Sequence, residues 1–546
     1  TEKLSKSGLS NKVMGQLVAH LINEHQAAFS ETLPKALLER LKLVDKSEAL
    51  VSIHFPKTQT SLAQALFRLK FEELFYIQLQ LVRKNLIHKH KIKGYSFPQV
   101  GSIFHEFYHK ILPFELTDAQ KKVLREIRHD LGSPAQMNRL LQGDVGSGKT
   151  IVAFMSLLIA IDNGFQGCLM APTEILSVQH YNELSKWGNL LNINIQILTG
   201  STKTSSRKAL LEGLKEGSIH CLVGTHALLE NRVEFKNLGL AIIDEQHRFG
   251  VAQRSKLWHK NEHPPNILIM TATPIPRTLA MSMYGDLDIS VIDALPPGRK
   301  PIKTVHRRDS NRLSVFRFVR DEITKGRQVY MVYPLIQESQ ALDYKDLMDG
   351  YESIAREFPA PQYQVSIVHG QMKSADKDHE MERFIQGKTQ IMVATTVIEV
   401  GVNVPNATVM VIESAERFGL SQLHQLRGRV GRGADQSFCI LMSGNKLSDD
   451  AKKRLETMVA TNDGFEISEV DLKLRGPGDL MGTQQSGVLQ LKIADLIKDG
   501  ETLKLARSYA IELLTADPQL SDPNHNNVRE TLQAILLYKN IWNYIS

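Results

Sequence analysis

The chain has 546 residues, 42% hydrophobic and 23% charged, with a formal net charge of +7 and a pI near 9.0. These are ordinary globular values that leave room for several packed cores. The mild basic excess permits a polyanionic partner without demanding one. Cys168, Cys221 and Cys439 lie far apart in apolar, strand-like runs and no CxxC pair exists. A disulfide framework or structural zinc site is therefore excluded in favour of free buried thiols in a reducing, cytoplasmic setting. No run of about 18 apolar residues suggests a membrane span. The start, Thr1-Glu2-Lys3-Leu4-Ser5, is polar, unlike a signal peptide, and lacks an initiator Met, so upstream sequence is expected to have been removed or left out.

Residues 1–112 read as a helical segment, with apolar residues at helical spacing in Val13–Ile22 and Phe71–Leu81. A basic run from Arg83 to Lys93 follows, either a solvated helix face or a phosphate contact. From about 113 the texture changes to short apolar runs alternating with longer helical stretches, the pattern of stacked βαβ units on a parallel sheet. The runs are Leu140-Leu141, Cys168–Met170, Ile195–Leu198, Cys221–Val223, Leu240–Ile243 and Ile267–Met270. Leu295-Pro296-Pro297-Gly298-Arg299 breaks the alternation and reads as a linker. It restarts with Val329–Val332, Val365–Val368, Ile391–Val393, Val409–Ile412 and Phe438–Leu441. The expectation is an α/β chain with two tandem parallel-sheet domains, 113–297 and 298–447. A C-terminal region, 448–546, is helical around a Gly-rich stretch, Leu474–Gly487, that reads as a loop or hairpin.

Gly143-Asp144-Val145-Gly146-Ser147-Gly148-Lys149-Thr150 fits the phosphate-binding loop pattern, between a strand and an apolar helix. Gly143, Gly146 and Gly148 let backbone N–H groups, Ser147 among them, curl around phosphate oxygens. Lys149 supplies a cation to the β- and γ-phosphates and Thr150 a hydroxyl to Mg²⁺. Asp244-Glu245 follows a buried strand directly, at the end where ligands of open α/β sheets gather. Asp244 is expected to hold Mg²⁺ and Glu245 to orient and deprotonate the attacking water. In the second domain, Gln425-Leu426-Arg427-Gly428-Arg429-Val430-Gly431-Arg432 offers Arg429 and Arg432 to the transferring phosphoryl group of ATP. Gln425 belongs to the same motif, while Arg427 has no assigned role. His180 and His424 read as packing or capping residues.

This set, in this order, resembles the superfamily 2 helicases. The resemblance implies two RecA-like domains, an adenine-reading Gln120 within Phe114–Gln120, and ATP with Mg²⁺ as the fuel. It also implies motif residues on Ala171-Pro172-Thr173-Glu174, Thr199-Gly200, Gly224-Thr225-His226, Asp244–His247, Thr271–Pro274, Val368-His369-Gly370 and Thr395–Val402. Pro172, Thr173, Thr199, Gly200, Thr225, His226, His369, Gly370, Thr395 and Thr396 become candidates for nucleic-acid backbone contacts. Gln246, His247, Thr271 and Thr273 become candidates for coupling nucleotide state to grip. Asp244-Glu245-Gln246-His247-Arg248-Phe249-Gly250, Thr273–Leu279, Arg475-Gly476-Pro477-Gly478 and Gln485-Ser486-Gly487 are similar to the RecG family of bacterial branched-DNA helicases. Arg475 and Gln485 are then implied members of a translocation motif.

That resemblance implies fork reversal and Holliday-junction migration on duplex or branched DNA in repair and recombination. It further implies a monomer that contacts single-strand-binding protein. It also implies an OB-type wedge domain ahead of the motor, for which residues 1–112 show no run of short strands. An Mfd-like translocase acting on RNA polymerase would need a further polymerase-binding module, and no segment of suitable size remains. A nucleotide-gated clamp without turnover sits poorly with Lys149, Glu245, Arg429 and Arg432 all present. RNA as the track stays open, because fold does not fix it.

Overall fold

Every apolar run named above becomes a parallel strand, and two further strands complete the sheets. The computed structural model describes residues 10–25, 29–245, 263–272, 287–294, 296, 300–334, 340–395, 404–431, 433, 435–480, 491–496 and 498–545. The described residues within Lys89–Pro276 and Leu287–Gly476 form one compact unit, and those within Thr1–His88 and Pro477–Ser546 another.

The larger unit holds two RecA-like lobes. In the first, β1 (Asn138–Gly143), β2 (Gln166–Met170), β3 (Ile195–Leu198), β4 (Cys221–Gly224), β5 (Leu238–Asp244), β6 (Asn266–Thr271) and β7 (Asp288–Ile292) run in the order β3-β4-β2-β5-β6-β1-β7. In the second, β8 (Lys303–Arg308), β9 (Gln328–Val332), β10 (Val365–Val368), β11 (Ile391–Ala394), β12 (Ala407–Ile412) and β13 (Phe438–Ser443) run β10-β11-β9-β12-β13-β8. Both sheets are parallel, and their central strands are buried on both faces, which is why they read as continuous apolar runs. The three cysteines are free and buried within these strands. The chain passes from the first sheet to the second between Ile292 and Lys303. Of the linker read there, residues 295 and 297–299 lie outside the described set.

Strand order sorts the first lobe's candidate residues. The β3, β4 and β2 ends carry Thr199, Thr225 and Thr173; the β1 end carries the phosphate loop. Between them, β5 and β6 end at Asp244 and Thr271, so these two residues occupy the border between the two groups.

The helix Lys149–Asp162 is buried on all sides from Ile151 to Ala160. One side meets the sheet; the other is covered by residues from before the expected boundary at 112. Phe107 stacks edge-on against Phe154 and Trp187, with centroids 5.0 and 5.7 Å away. Asp162 accepts from the N–H groups of Gly101, Ile103 and Phe104 at 3.0–3.1 Å, fixing the helix Ser102–Glu106. Residues 95–112 thus share the first lobe's core.

The other unit is helical among its described residues, with Asn11–His25, Lys35–Leu41, Lys46–His54, most of Gln59–Lys91, Gly500–Ala516 and Asn526–Ile545. Its interior, otherwise lined by buried apolar residues such as Phe71, Leu74 and Phe75, contains an ionic cluster. Arg68, fully buried, pairs with Glu31 at 2.5 Å and Glu72 at 2.7 Å, and Lys46 joins Glu72 at 3.1 Å. Glu73 accepts from the N–H groups of Lys492, Ile493 and Ala494, pinning that strand of chain to the long helix.

One reading is corrected. Residues 474–480, read as loop from their Gly and Pro content, continue the helix Gly464–Leu480. Local propensity is a weak prior, and the helix runs through Pro477 although that residue has no N–H with which to add a hydrogen bond. Residues 481–487 of the same stretch lie outside the described set.

Candidate active site

β1 ends at Gly143, and the loop beyond it turns through Gly146 (φ 76°) and Gly148 (φ 87°), left-handed conformations that favour glycine. Ser147 N–H donates to Asp144 O at 3.1 Å, closing the loop. Lys149 opens the following helix, and its ammonium donates to the carbonyls of Gly143 at 2.7 Å and Asp144 at 2.9 Å. Thr150 sits half-buried one residue on. This cradle of N–H groups at a helix N-terminus, closed by a lysine, fits a triphosphate.

Gln120 lies beneath the loop. Its Oε1 accepts from Thr117 N–H in a capping box, and its Nε2 donates to Ser147 O at 2.9 Å. The contact is close: a Cβ added at Gly148 would come within 2.2 Å of Gln120 Nε2. Gln120 therefore supports the turn from below.

Asp244 and Glu245 stand at the end of β5, beside the loop in space. Glu245 takes a left-handed φ of 54°, a conformation that costs a non-glycine residue about 1–2 kcal/mol. The turn is held by Glu245 N–H donating to Met270 O at 3.0 Å and by Ala272 N–H donating to Glu245 Oε1 at 3.2 Å. Burial and the neighbouring Asp244 push the Glu245 carboxyl up to about 7, against the opposing pull of Lys149, the Ala272 N–H and Arg429. A carboxylate so placed is a competent proton acceptor near neutral pH. Asp244 is itself met by a residue from another helix: His180 Nε2 lies 2.8 Å from Asp244 Oδ2, both side chains nearly buried. Among the described residues no cluster of three or more His, Cys, Asp or Glu could hold a metal alone. Mg²⁺ keeps its waters and uses one or two protein oxygens plus phosphates, and Asp244 and Thr150 could supply those oxygens.

The second lobe completes the crevice from the helix Leu420–Arg427. Gly428, which follows it, packs on the phosphate loop so closely that an added Cβ would lie 2.8 Å from Val145 Cβ. Arg429 is near enough to Glu245 to lower its pKa. His424 meets Asp144 across the crevice at 2.5 Å. Gln425 is half-buried on the same helix. Lys149, Asp244, Glu245 and Arg429 are thus gathered in one place, while Arg432 lies outside the described residues. His180, His424 and Asp144 were not assigned site roles from the sequence. Their partners are 64 and 280 residues distant, so no local spacing could have marked them.

The remaining motif residues sit at the carboxyl ends of strands. Gly200, His226 and Gly370 are exposed, and Pro172, Thr173 and His369 are half-buried. Thr173 also caps the helix Glu174–Leu190, accepting from Leu176 N–H at 3.3 Å. Thr199, Thr225, Thr271 and Thr395 are buried. Gln246, His247, Thr273, Thr396 and Gln485 lie outside the described residues, as does the side chain of Arg475.

Two RecA-like lobes facing each other across a phosphate loop and an Asp-Glu pair are the architecture of the helicase class. Residues 117–282 match the DEAD/DEAH box helicase model and 314–434 the helicase conserved C-terminal domain. Residues 461–546 match the model of ATP-dependent DNA helicase RecG, domain 3, C-terminal. The RecG of Synechocystis sp. is 48% identical over 90% of this chain and 59% of its own length. That of Bacillus subtilis is 46% identical over 96% of this chain and 77% of its own length. A solved RecG bound to a three-way DNA junction superposes with a TM-score of 0.67 at 42% identity, covering 91% of this chain and 65% of that one. The chain belongs to the RecG family of ATP-dependent DNA helicases. It spans about six-tenths to three-quarters of the length of these relatives. Among the described residues no helix is long and apolar enough to cross a membrane.

Proposed function

We propose that the chain is a DNA-dependent ATPase motor that moves on duplex DNA and remodels branched junctions. The observation that carries this reading is the seating of the second lobe on the phosphate loop, His424 meeting Asp144 at 2.5 Å and Gly428 packing on Val145, which puts the segment bearing Arg429 beside Lys149 and Glu245. The phosphate loop would seat the triphosphate, with Thr150 and Asp244 holding Mg²⁺. Bound Mg²⁺ would neutralise phosphate charge. Glu245 would take the proton of the attacking water, and Arg429, with Arg432, would stabilise charge on the transferring group. Closure of the lobes on the nucleotide and reopening after hydrolysis would then alternate the grip on DNA.

The track would run over the strand ends remote from the phosphate loop, where Gly200, His226 and Gly370 are exposed and Pro172, Thr173 and His369 are half-buried. Buried Thr199, Thr225 and Thr395 would support those turns. Such contacts address phosphates and not bases, so binding should weaken steeply with salt. The three-way junction held by the solved RecG supports branched DNA as the substrate. A monomer in the cytoplasm, with a contact to single-strand-binding protein, follows from family resemblance alone.

The test is phosphate release by the full chain and by Glu245→Gln with forked DNA, linear duplex, RNA or no nucleic acid. The reading requires strongest stimulation by forked DNA and its loss in the variant. Equal low rates in every arm would leave a clamp without turnover; stimulation by RNA alone would reassign the track.

A further inference from the structure

The side chain of Asp144, in the phosphate loop, reaches the opposite lobe. Its Oδ1 accepts from Val145 N–H at 2.6 Å and meets His424 Nε2 at 2.5 Å. The other ring nitrogen of His424 lies 3.1 Å from a terminal nitrogen of Arg427. A guanidinium only donates, so His424 Nδ1 must accept, and the ring proton of the neutral imidazole sits on Nε2, aimed at Asp144. Arg427 is itself immobilised: it is buried, and its other terminal nitrogen donates to the carbonyls of Met458 at 2.9 Å and Thr461 at 2.8 Å.

A continuous chain of hydrogen bonds therefore runs from the end of the helix Asp449–Ala460, through Arg427 and His424, into the phosphate loop. It adjoins a catalytic group in each lobe, Lys149 in the first and Arg429 in the second. Asp144 uses its side chain for His424 and its carbonyl for Lys149. Arg427 lies two residues before Arg429, with Gly428 between them packed on Val145.

We propose that Arg427, His424 and Asp144 form a positioning relay that sets the register between the lobes, holding Arg429 opposite Glu245. None of the three touches the reacting atoms. The relay acts through Arg429, and it rests on the ATPase reading given above.

The experiment is a double-mutant cycle on the full chain, with DNA-stimulated phosphate release giving kcat and a fluorescent ATP analogue giving affinity. His424→Ala should lower kcat by about tenfold to a hundredfold, the cost of a misplacement of about 1 Å, with analogue affinity changed less than about threefold. His424→Gln, whose amide can still donate to Asp144, should recover most of the rate. Arg429→Ala should cost about a thousandfold or more, and adding His424→Ala to it should cost nothing further. Independent, multiplying losses would overturn the relay, as would a normal kcat in folded His424→Ala. Should His424→Ala not fold, a His424→Gln rate well below wild type at unchanged melting temperature would equally overturn it. Failure of the wild type to hydrolyse ATP with any nucleic acid would instead defeat the ATPase reading itself.

Discussion

His180, midway along the helix Glu174–Leu190, meets the Asp244 carboxylate at 2.8 Å inside the first lobe. The same helix is capped by Thr173, one of the residues assigned to the DNA track. A hydrogen bond to a metal-holding carboxylate fixes which oxygen faces the ion, and removing such a partner usually weakens metal use by about 10–100-fold. His180→Ala should therefore raise the Mg²⁺ concentration needed for half-maximal phosphate release by about tenfold or more. Magnesium titration of phosphate release checks this; an unchanged midpoint would reduce His180 to a packing residue.

Glu245 stands between cations and takes its backbone strain in order to do so. Glu245→Gln keeps the shape and removes the proton acceptor. Turnover should fall by about 10²-fold or more while binding of an ATP analogue persists. Single-turnover hydrolysis alongside equilibrium nucleotide binding separates the two effects.

Gln120 has both ends of its amide engaged, one in the Thr117 capping box and one on Ser147 O. Its removal should loosen the loop for any triphosphate. ATP and GTP affinities of Gln120→Ala are expected to fall in parallel. A selective loss of ATP binding would instead mark the side chain as reading adenine directly.

The helical unit carries its own pH dependence at Glu72. Burial alone would raise the Glu72 carboxyl, but Arg68, Lys46 and the Thr32 hydroxyl hold it below its ordinary 4.5. A depressed folded value means that ionised Glu72 favours the fold. That contribution is complete above 4.5 and disappears as pH falls through the lower, folded value. The stability gap between wild type and Glu72→Gln should accordingly shrink on acidification, measured by urea unfolding across a pH series. Arg68→Ala, which removes the buried cation shared by Glu31 and Glu72, should cost about 3–5 kcal/mol at neutral pH.

Central strands were legible because a strand covered on both faces must be apolar at consecutive positions, as in Leu240–Ile243 and Val409–Ile412. Two of the four edge strands, β7 and β8, were not. β7 is only partly buried and starts with an aspartate, and β8, Lys-Thr-Val-His-Arg-Arg, leaves most of its side chains to solvent. Of the candidate site, the phosphate loop and the Asp-Glu pair were readable because a short continuous segment supplies each. The contacts of His180 and His424 exist only once separate strands and helices are stacked, and Gln120's double engagement needed the helix Asp118–Leu131 placed beneath the loop.

The rings of Phe107, packed on the phosphate-loop helix, and of Phe97, packed against Phe165, bear on how this motor can be dissected. A fragment begun at residue 113 would discard both rings and the three N–H groups that satisfy Asp162, baring Phe154 and Trp187 to water. It should precipitate, and its silence in an enzyme assay would say nothing about the ATPase. An autonomous motor has to start no later than about Lys89, where the larger unit begins.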